Sequence, residues 1–336
     1  MVFSLPRRSI YMQFKTIKVL VPSVFLLASI LVGAANIHAS EEADFEVIML
    51  GVGSPPPFMN RFGPGTLIKA GDKYLLVDAG RGVTQRLWQL RIPLGRIDGL
   101  FVTHLHSDHV IGIPDVLLTG WLSSPFGGRK GKFNVWGPVG TKSMMHHIRL
   151  AYQGDVDIRV KDQGFSEDDV ASNTVEIQPG LIYDQDGVKV TAIEVNHGEL
   201  IKPAFGYRIE YDGRSVVISG DTKYHPPLAE AAKGTDLFIH AVGAAKPELL
   251  ESRLAWRTIL NHHTEPEDVG RIFEQAQPKM AALYHFVTLT NGTIKPPSLE
   301  EISTRLKTTY SGPVTMGADL TRFVIGEDQV TVIPPE

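Results

Sequence analysis

"THLHSDHV" occupies residues 103 to 110 and holds His104, His106, Asp108 and His109 within six positions. The apolar run "IDGLFV" (97–102) precedes it, so a buried strand delivers four polar side chains at its C-terminal end. His104 and His106 lie two apart in a tight turn, and both can point into one cavity. Asp108 and His109 follow after half a turn and can address a second point. One loop therefore suits a pair of metals, which stand about 3.5–4 Å apart in two-metal sites. Four such groups desolvated without a cation would be costly, which makes a purely structural loop the weaker explanation.

A closed pair of sites needs further ligands, and other strand ends supply candidates. His197 closes "TAIEVNH", Asp221 closes "VVISGD", and His285 lies at the end of "MAALYHF". Each apolar strand terminates on a metal-capable side chain, a repetition that core packing does not explain. The chain contains no cysteine, so any metal must be held by His, Asp or Glu.

Residues 1 to 40 have the pattern of a signal peptide. Arg7, Arg8, Lys15 and Lys18 make a cationic start, "VLVPSVFLLASILVGAA" (19–35) is the apolar stretch, and cleavage is expected near Ala39. The stretch is nearly long enough to be an uncleaved anchor, but Pro22 and the small residues at its end favour cleavage. Met12 is an alternative start, and "RRSIYM" has the paired arginines of a twin-arginine export signal without its usual neighbours. The mature protein is then expected in the periplasm or outside the cell, with no stable membrane association. Residues 41 to 336 suffice for one large α/β domain. Net charge is −4 with both signs dispersed, and no long basic run marks a nucleic-acid binder.

Strands are expected at 45–53, on both sides of "AGDK" within 65–80, at 97–104, 133–136, 188–197, 204–211, 215–221, 236–242 and 280–286. Helical spacing marks 83–92, 112–121, 141–153, 226–233 and 266–276. Residues 298–306 open with a Ser–Glu capping box, whereas 154–186 are polar, acidic and without clear periodicity. Strand-rich halves interleaved with helices suggest two sheets with helices packed outside.

The strings "LLVDAG", "THLHSDHVIGIPDV", "VWGPVGTK", "VNHG", "SGDT" and "YHF", in this order, resemble the metallo-β-lactamase superfamily in its branch of zinc-dependent phosphodiesterases and sulfatases. The resemblance covers nearly all of residues 41–336 and implies a four-layer αββα sandwich. It implies two Zn²⁺ ions, with Mn²⁺ or Fe²⁺ also compatible with the donors. His104, His106 and His197 would hold the first ion, Asp108, His109 and His285 the second, and Asp221 would bridge them. Asp78 in "VDAG" matches an aspartate expected to orient a ligand histidine. The ions would lower the pKa of a shared water for attack on an ester, with Asp108 helping to orient it. His263 in "NHHTEPEDVGRIF" matches a histidine assigned as general acid, with His262 its neighbouring competitor.

Longer strings such as "NRFGPGTLIKAG", "DAGRGVTQRL" and "HHTEPEDVGRIF" resemble a zinc arylsulfatase-like group. A small sulfate or phosphate ester is accordingly the expected substrate. The tRNA 3′-processing nucleases are the alternative, supported by "GPVG", the ligand set and His263. Against them stand the leader and the acidic "SEDD" (166–169), where an RNA-gripping arm should be basic. His240-Ala241-Val242-Gly243 also replaces the "HEAT" usual in those nucleases, and His240 reads as a packing residue. These points argue against a nucleic-acid partner. Lactone hydrolysis would use the same water, and a non-catalytic metal-binding protein is a further alternative, disfavoured by the complete ligand set. Trp121 and Phe126 are candidates for the pocket wall or the core, Lys223 and Tyr224 for anion contact, and the resemblance allows a homodimer.

Overall fold

The computed structural model describes residues 43 to 335; the leader and its cleavage point lie outside the described residues. The first six strands are β1 (Phe45–Gly51), β2 (Gly65–Ala70), β3 (Lys73–Val77), β4 (Gly99–Phe101), β5 (Phe133–Gly137) and β6 (Ser172–Glu176). Seven more follow: β7 (Gly180–Gln185), β8 (Val188–Val195), β9 (Ala204–Tyr211), β10 (Arg214–Ile218), β11 (Leu237–Ala244), β12 (Met280–Thr288) and β13 (Val314–Met316). The last two are β14 (Arg322–Ile325) and β15 (Val330–Ile333). They form an eight-stranded sheet, β15-β14-β1-β2-β3-β4-β5-β6, and a seven-stranded one, β13-β12-β11-β10-β9-β8-β7.

Both sheets are mixed in the same way. Antiparallel pairs (β1·β2, β2·β3; β7·β8, β8·β9, β9·β10) give way to parallel ones (β3·β4, β4·β5; β10·β11, β11·β12). Ligand sites in open α/β sheets collect outside the carboxyl ends of parallel strands, and the polar cluster described below lies there.

The alternation in β1 shows how the layers form. Phe45, Val47 and Met49 join the core between the sheets, with Val77, Phe101, Tyr207 and Val217. Ile48 and Leu50 point the other way, into a second core with Val83, Leu87, Val116 and Met145 from outer helices. A strand buried on both faces has no polar side, and β1 is buried throughout. On the far side, Ile272 and Phe273 of helix Pro266–Ala276 and Ile302 and Leu306 of helix Leu299–Leu306 cover the second sheet. The expected αββα sandwich is therefore the fold.

Most of the expected elements form close to their expected ends, and the Ser298–Glu301 capping box is made in both directions. Residues 154–186, unassigned by periodicity, hold a helix (Gln153–Gln163) and the edge strands β6 and β7. Their half-exposed faces carry polar residues, so little apolar rhythm marks them. The strands β13 to β15 and the helices Pro247–Ser252 and Leu254–Leu260 are additional elements. No helix among the described residues is long and apolar enough to cross a membrane.

Candidate metal centre

The opening motif is not an irregular loop. After β4, His106 lies in extended backbone and begins a one-turn helix, Ser107–Val110, that carries Asp108 and His109. The turn packs against the end of β3. Ala79 N donates to the His109 carbonyl at 2.8 Å, and Gly112 N donates to the Ala79 carbonyl at 2.8 Å. Gly80 is required here, because a Cβ at this position would stand 2.4 Å from the Asp108 carbonyl oxygen. That close approach is the physical content of "VDAG" beside the histidine motif.

The structure brings all seven expected ligands together. Ring atoms His104 Nε2 and His106 Nδ1 are 2.9 Å apart, and His197 Nε2 is 3.2 Å from His106 Nδ1. In a second group, His109 Nε2 and His285 Nε2 are 3.1 Å apart, and Asp108 Oδ2 is 3.2 Å from His285 Nε2. Asp221 stands between the groups, with Oδ2 at 3.6 Å from His109 Nε2, 3.7 Å from His197 Nε2 and 4.0 Å from His104 Nε2. Its Oδ1 is 3.5 Å from His285 Nδ1. His104, His109, His197, Asp221 and His285 are buried, while His106 is exposed and marks the open side.

The outward nitrogens determine which lone pairs face inward. His109 Nδ1 bonds Asp78 Oδ2 at 2.7 Å, His197 Nδ1 bonds the His262 carbonyl at 2.8 Å, and His104 Nδ1 meets Thr103 Oγ1 at 3.0 Å. Asp78 and the His262 carbonyl can only accept, so these histidines carry the proton on the outer nitrogen and a lone pair on the inner one. Inner lone pairs facing one another at about 3 Å repel unless a cation lies between them. Nitrogens around a tetrahedral zinc are separated by about 3.3 Å, close to the spacing seen here. Asp221 Oδ1 and His285 Nδ1 are also buried without hydrogen-bond partners. The donor set, three histidines and a carboxylate in one group and two histidines and a carboxylate in the other, fits two divalent ions sharing Asp221.

The electrostatics favour neutral rings at His104 and His197 but not at His109. There burial acts downward, but Asp221 and Asp78 outweigh it and hold the ring well above the usual imidazole range, with an inner proton that a cation would displace. Burial pushes the Asp221 carboxyl up, but His285 and His109 outweigh it and hold the group well below the usual carboxylate range. Burial lowers His197 to about 4 and holds His104 well below the usual imidazole range. For Asp108, burial acts upward, and the hydrogen bond from His285 with the nearby His109 brings it down.

Two residues reach this arrangement through backbone that side chains rarely adopt. Asp78 has φ 58° and His285 has φ 44°, and the β11·β12 register slips by one residue opposite His285. His285 lies inside β12, which runs on to Thr288 beyond the expected end at 286, and a bulge there re-aims its side chain at the cost of local strain. Thr103, which sequence reasoning did not single out, links the supports. Its N–H donates to Asp78 Oδ1 and its hydroxyl to Asp78 Oδ2, both at 2.8 Å, while the same hydroxyl meets His104. Its only signal was its place immediately before the motif.

His263 joins the cluster and His262 does not. The turn between Leu254–Leu260 and Pro266–Ala276 is pinned by Gly243 N donating to the Thr264 carbonyl at 2.9 Å. The Thr264 hydroxyl donates to the Thr222 carbonyl at 2.7 Å. His263 Nδ1 then lies 3.8 Å from Asp221 Oδ2, buried and without a hydrogen-bond partner. Burial drives its pKa down to about 3. His262 contributes its carbonyl to His197 instead. Gly243 explains part of "HAVG": a Cβ there would come within 2.6 Å of the His263 Cβ. His240 is a packing histidine between Phe238 and Phe273, ring centroids 5.7 and 6.0 Å away. Trp121 also belongs to a packing cluster, with Val156 and Val170, and Phe126 sits edge-on to Trp88.

Residues 73–286 match the beta-lactamase superfamily domain. The ribonuclease Z of Mycobacterium bovis (strain BCG / Pasteur 1173P2) is 30% identical over 280 residues, covering 83% of this chain and 98% of that protein. The ribonuclease Z of Mycolicibacterium paratuberculosis (strain ATCC BAA-968 / K-10) is 32% identical over 281 residues, with 83% and 98% covered. Among solved structures, the short form of human tRNase Z has a TM-score of 0.61 at 20% identity, covering 84% of this chain and 99% of that one. The metallo-β-lactamase fold protein YhfI from Bacillus subtilis has a TM-score of 0.62 at 19% identity, with 83% and 98% covered. The chain belongs to the metallo-β-lactamase superfamily, in its ribonuclease Z-like branch, and is a metal-dependent hydrolase of ester bonds.

These relatives overturn the expectation of a small ester as partner with nucleic acid set aside, because proteins named ribonuclease Z match along nearly their whole length. The structure shows why the acidic "SEDD" misled. Glu167 pairs with Arg149 at 2.6 Å and Asp168 with Lys132 at 3.3 Å, while Asp169 Oδ1 accepts from Gly131 N at 2.6 Å. Two of these carboxylates are paired with neighbouring cations and the third with a backbone amide, so the run carries less unbalanced negative charge than its sequence suggests.

Proposed function

We propose that the protein is a ribonuclease Z-like phosphodiesterase that cleaves the 3′ side of precursor RNA with two divalent cations. The carrying observation is the convergence of inner histidine lone pairs and Asp221 in two groups, in a chain 30% identical to a ribonuclease Z. In this reading His104, His106 and His197 would hold one divalent ion and Asp108, His109 and His285 the other, with Asp221 available to both. Bound in this way, the ions would supply a water ionised near neutral pH and neutralise charge on the phosphoryl oxygens.

The chain's own residues do the rest. Asp108, on the same carboxylate that faces His285, orients the attacking water. His263 is neutral at rest, its pKa driven down to about 3 by burial against the pull of Asp221. Its part as general acid requires the negative charge of a bound phosphodiester to raise it before it hands a proton to the leaving oxygen. Exposed His106 marks the side from which the phosphodiester enters. Asp78 fixes the tautomer of His109 and, through Thr103, the ring of His104. Asp78→Asn keeps the shape but places an amide where two donors already point. Zinc affinity measured by chelator competition should fall about 10- to 100-fold.

The direct test offers purified residues 41–336 a precursor tRNA with a 3′ trailer, an aryl phosphodiester, an aryl sulfate and a lactone. Cleavage of the RNA and the phosphodiester, abolished by chelation and restored by zinc, is expected. Turnover confined to the sulfate or the lactone would refute the proposal. Export is a separate proposal, resting on residues 1–40. N-terminal sequencing of protein from periplasmic and cytoplasmic fractions should find a start next to Ala39; a cytoplasmic chain starting at Met1 or Met12 would reject it.

A further inference from the structure

Strand β10 stops at Ile218, and Asp221 follows after only Ser219 and Gly220. Up to that point β10 pairs with β11 in regular parallel register, Val216 with Leu237 through Ile218 with Ile239. Ser219 N continues it by donating to the Ile239 carbonyl at 2.9 Å. The next rung of such a ladder would run from Ala241 N to the Ser219 carbonyl. The Ser219 hydroxyl takes that place instead, accepting from Ala241 N at 3.0 Å and donating to the Gly220 carbonyl at 2.6 Å. The displaced carbonyl faces β9, where a Cβ on Gly206 would stand 2.8 Å from it. Ser219 is fully buried, so these groups depend on one another and not on solvent.

Two features of the metal centre start from this junction. Gly220 has φ 60°, and a Cβ there would stand 2.4 Å from the Phe205 carbonyl and 3.2 Å from the Thr103 Cβ. Phe205 N in turn donates to the Thr103 carbonyl at 2.9 Å. The second sheet thus meets the first at the residue before His104, and Asp221 enters the space between the two ligand groups directly after that contact. On the other edge of β11, Ala241 pairs with Tyr284 while Val242 pairs with Phe286, which leaves His285 in the bulge. One hydroxyl therefore joins the departure of β10 toward Asp221 to the residue at which the His285 bulge begins.

We infer that Ser219 is a positioning residue for Asp221. By standing in for its own carbonyl, the hydroxyl lets β10 leave the sheet and turns the Gly220–Asp221 peptide toward the first sheet. Ser219→Ala would leave Ala241 N–H buried without an acceptor. The regular rung is the nearest replacement: the carbonyl at position 219 rotates back into the ladder, β10 continues straight, and the Asp221 carboxylate is drawn away from one of the two groups. This inference deepens the two-metal reading of Asp221 and rests on it, but not on the identity of the substrate.

The test measures zinc binding by chelator competition in the unmodified protein and in Ser219→Ala, Ser219→Thr, Asp221→Asn and Val217→Ala. In Ser219→Ala the more weakly held zinc equivalent should lose about 10- to 100-fold in affinity, as when an outer partner of a metal ligand is removed. The tighter equivalent should lose less than about threefold. Ser219→Thr keeps the hydroxyl and should return the weaker equivalent to within about threefold of the unmodified protein. Ser219→Ala also removes a buried hydrogen bond, so its Tm without metal should fall. Val217→Ala truncates a neighbouring core side chain of β10 and lowers Tm too, yet should leave both zinc affinities within about threefold. Unchanged zinc binding in Ser219→Ala would overturn the inference. Losses in Val217→Ala as large as those in Ser219→Ala would overturn it as well, by reducing Ser219 to a stabilising residue. The reading beneath it fails separately: if Asp221→Asn holds both equivalents as tightly as the unmodified protein, the sharing of Asp221 ends, whatever Ser219→Ala does.

Discussion

Asp221→Ala is expected to lower kcat/KM for phosphodiester cleavage at least about 10³-fold, equivalent to roughly 4 kcal/mol of transition-state stabilisation. One carboxylate faces five imidazoles: His104, His109, His197, His263 and His285 all lie within 4.0 Å of it. Among the described residues it is the carboxylate that stands between the two groups. Without it, two divalent ions held by the two groups would have no shared carboxylate to screen them. Metal analysis of the variant should find at least one zinc equivalent lost per chain. Asp221→Asn separates charge from shape, since the amide fills the same space without the negative charge. A loss of similar order in Asp221→Asn assigns the effect to charge. Wild-type rates with two zinc ions retained would end the bridging role.

The second large effect is expected at His263. His263→Ala should reduce kcat on RNA about 10²- to 10⁴-fold, the usual span for a general acid, while both metal equivalents remain. The leaving group provides the sharper readout. An RNA alkoxide needs a proton as it departs, whereas a nitrophenolate leaves readily without one. The His263→Ala deficit should therefore shrink by at least about tenfold on bis(4-nitrophenyl) phosphate. Equal deficits on both substrates would instead point to a role in holding Asp221, whose Oδ2 is 3.8 Å from His263 Nδ1. His262→Ala is a useful contrast, because the hydrogen bond His262 makes with His197 comes from its main chain and survives the substitution.

Much of this centre was legible in the order of residues. The buried strands β1, β9, β10 and β12 announce themselves by apolar runs of strand length; Asp221 follows β10, His285 lies within β12, and His197 follows the alternating strand β8. Short spacing makes the histidine motif informative: residues two to five apart must share a location whatever the rest of the chain does. The edge strands β6 and β7 were not legible, because a half-exposed strand needs few apolar residues. Nor was the innocence of "SEDD", since a carboxylate reads the same in sequence whether it is free or paired with Arg149 or Lys132.

By itself, then, the sequence determined two sheets with helices outside and the seven ligand candidates, from apolar runs and local spacing, while the αββα class and the family came from the resemblance of its motif strings to known proteins. All of these survive without coordinates. Only the tertiary structure decided which nitrogen of each histidine faces inward, because that depends on partners 31 and 65 residues away. It also separated His263 from His262, adjacent in sequence but divided by a turn that sends one ring to Asp221 and the other's carbonyl to His197. Ser219 lies furthest from any sequence signal. A serine closing an apolar strand reads as an ordinary strand end, and only the pairing of β10 with β11, which then breaks off, brings its hydroxyl to Ala241 N–H.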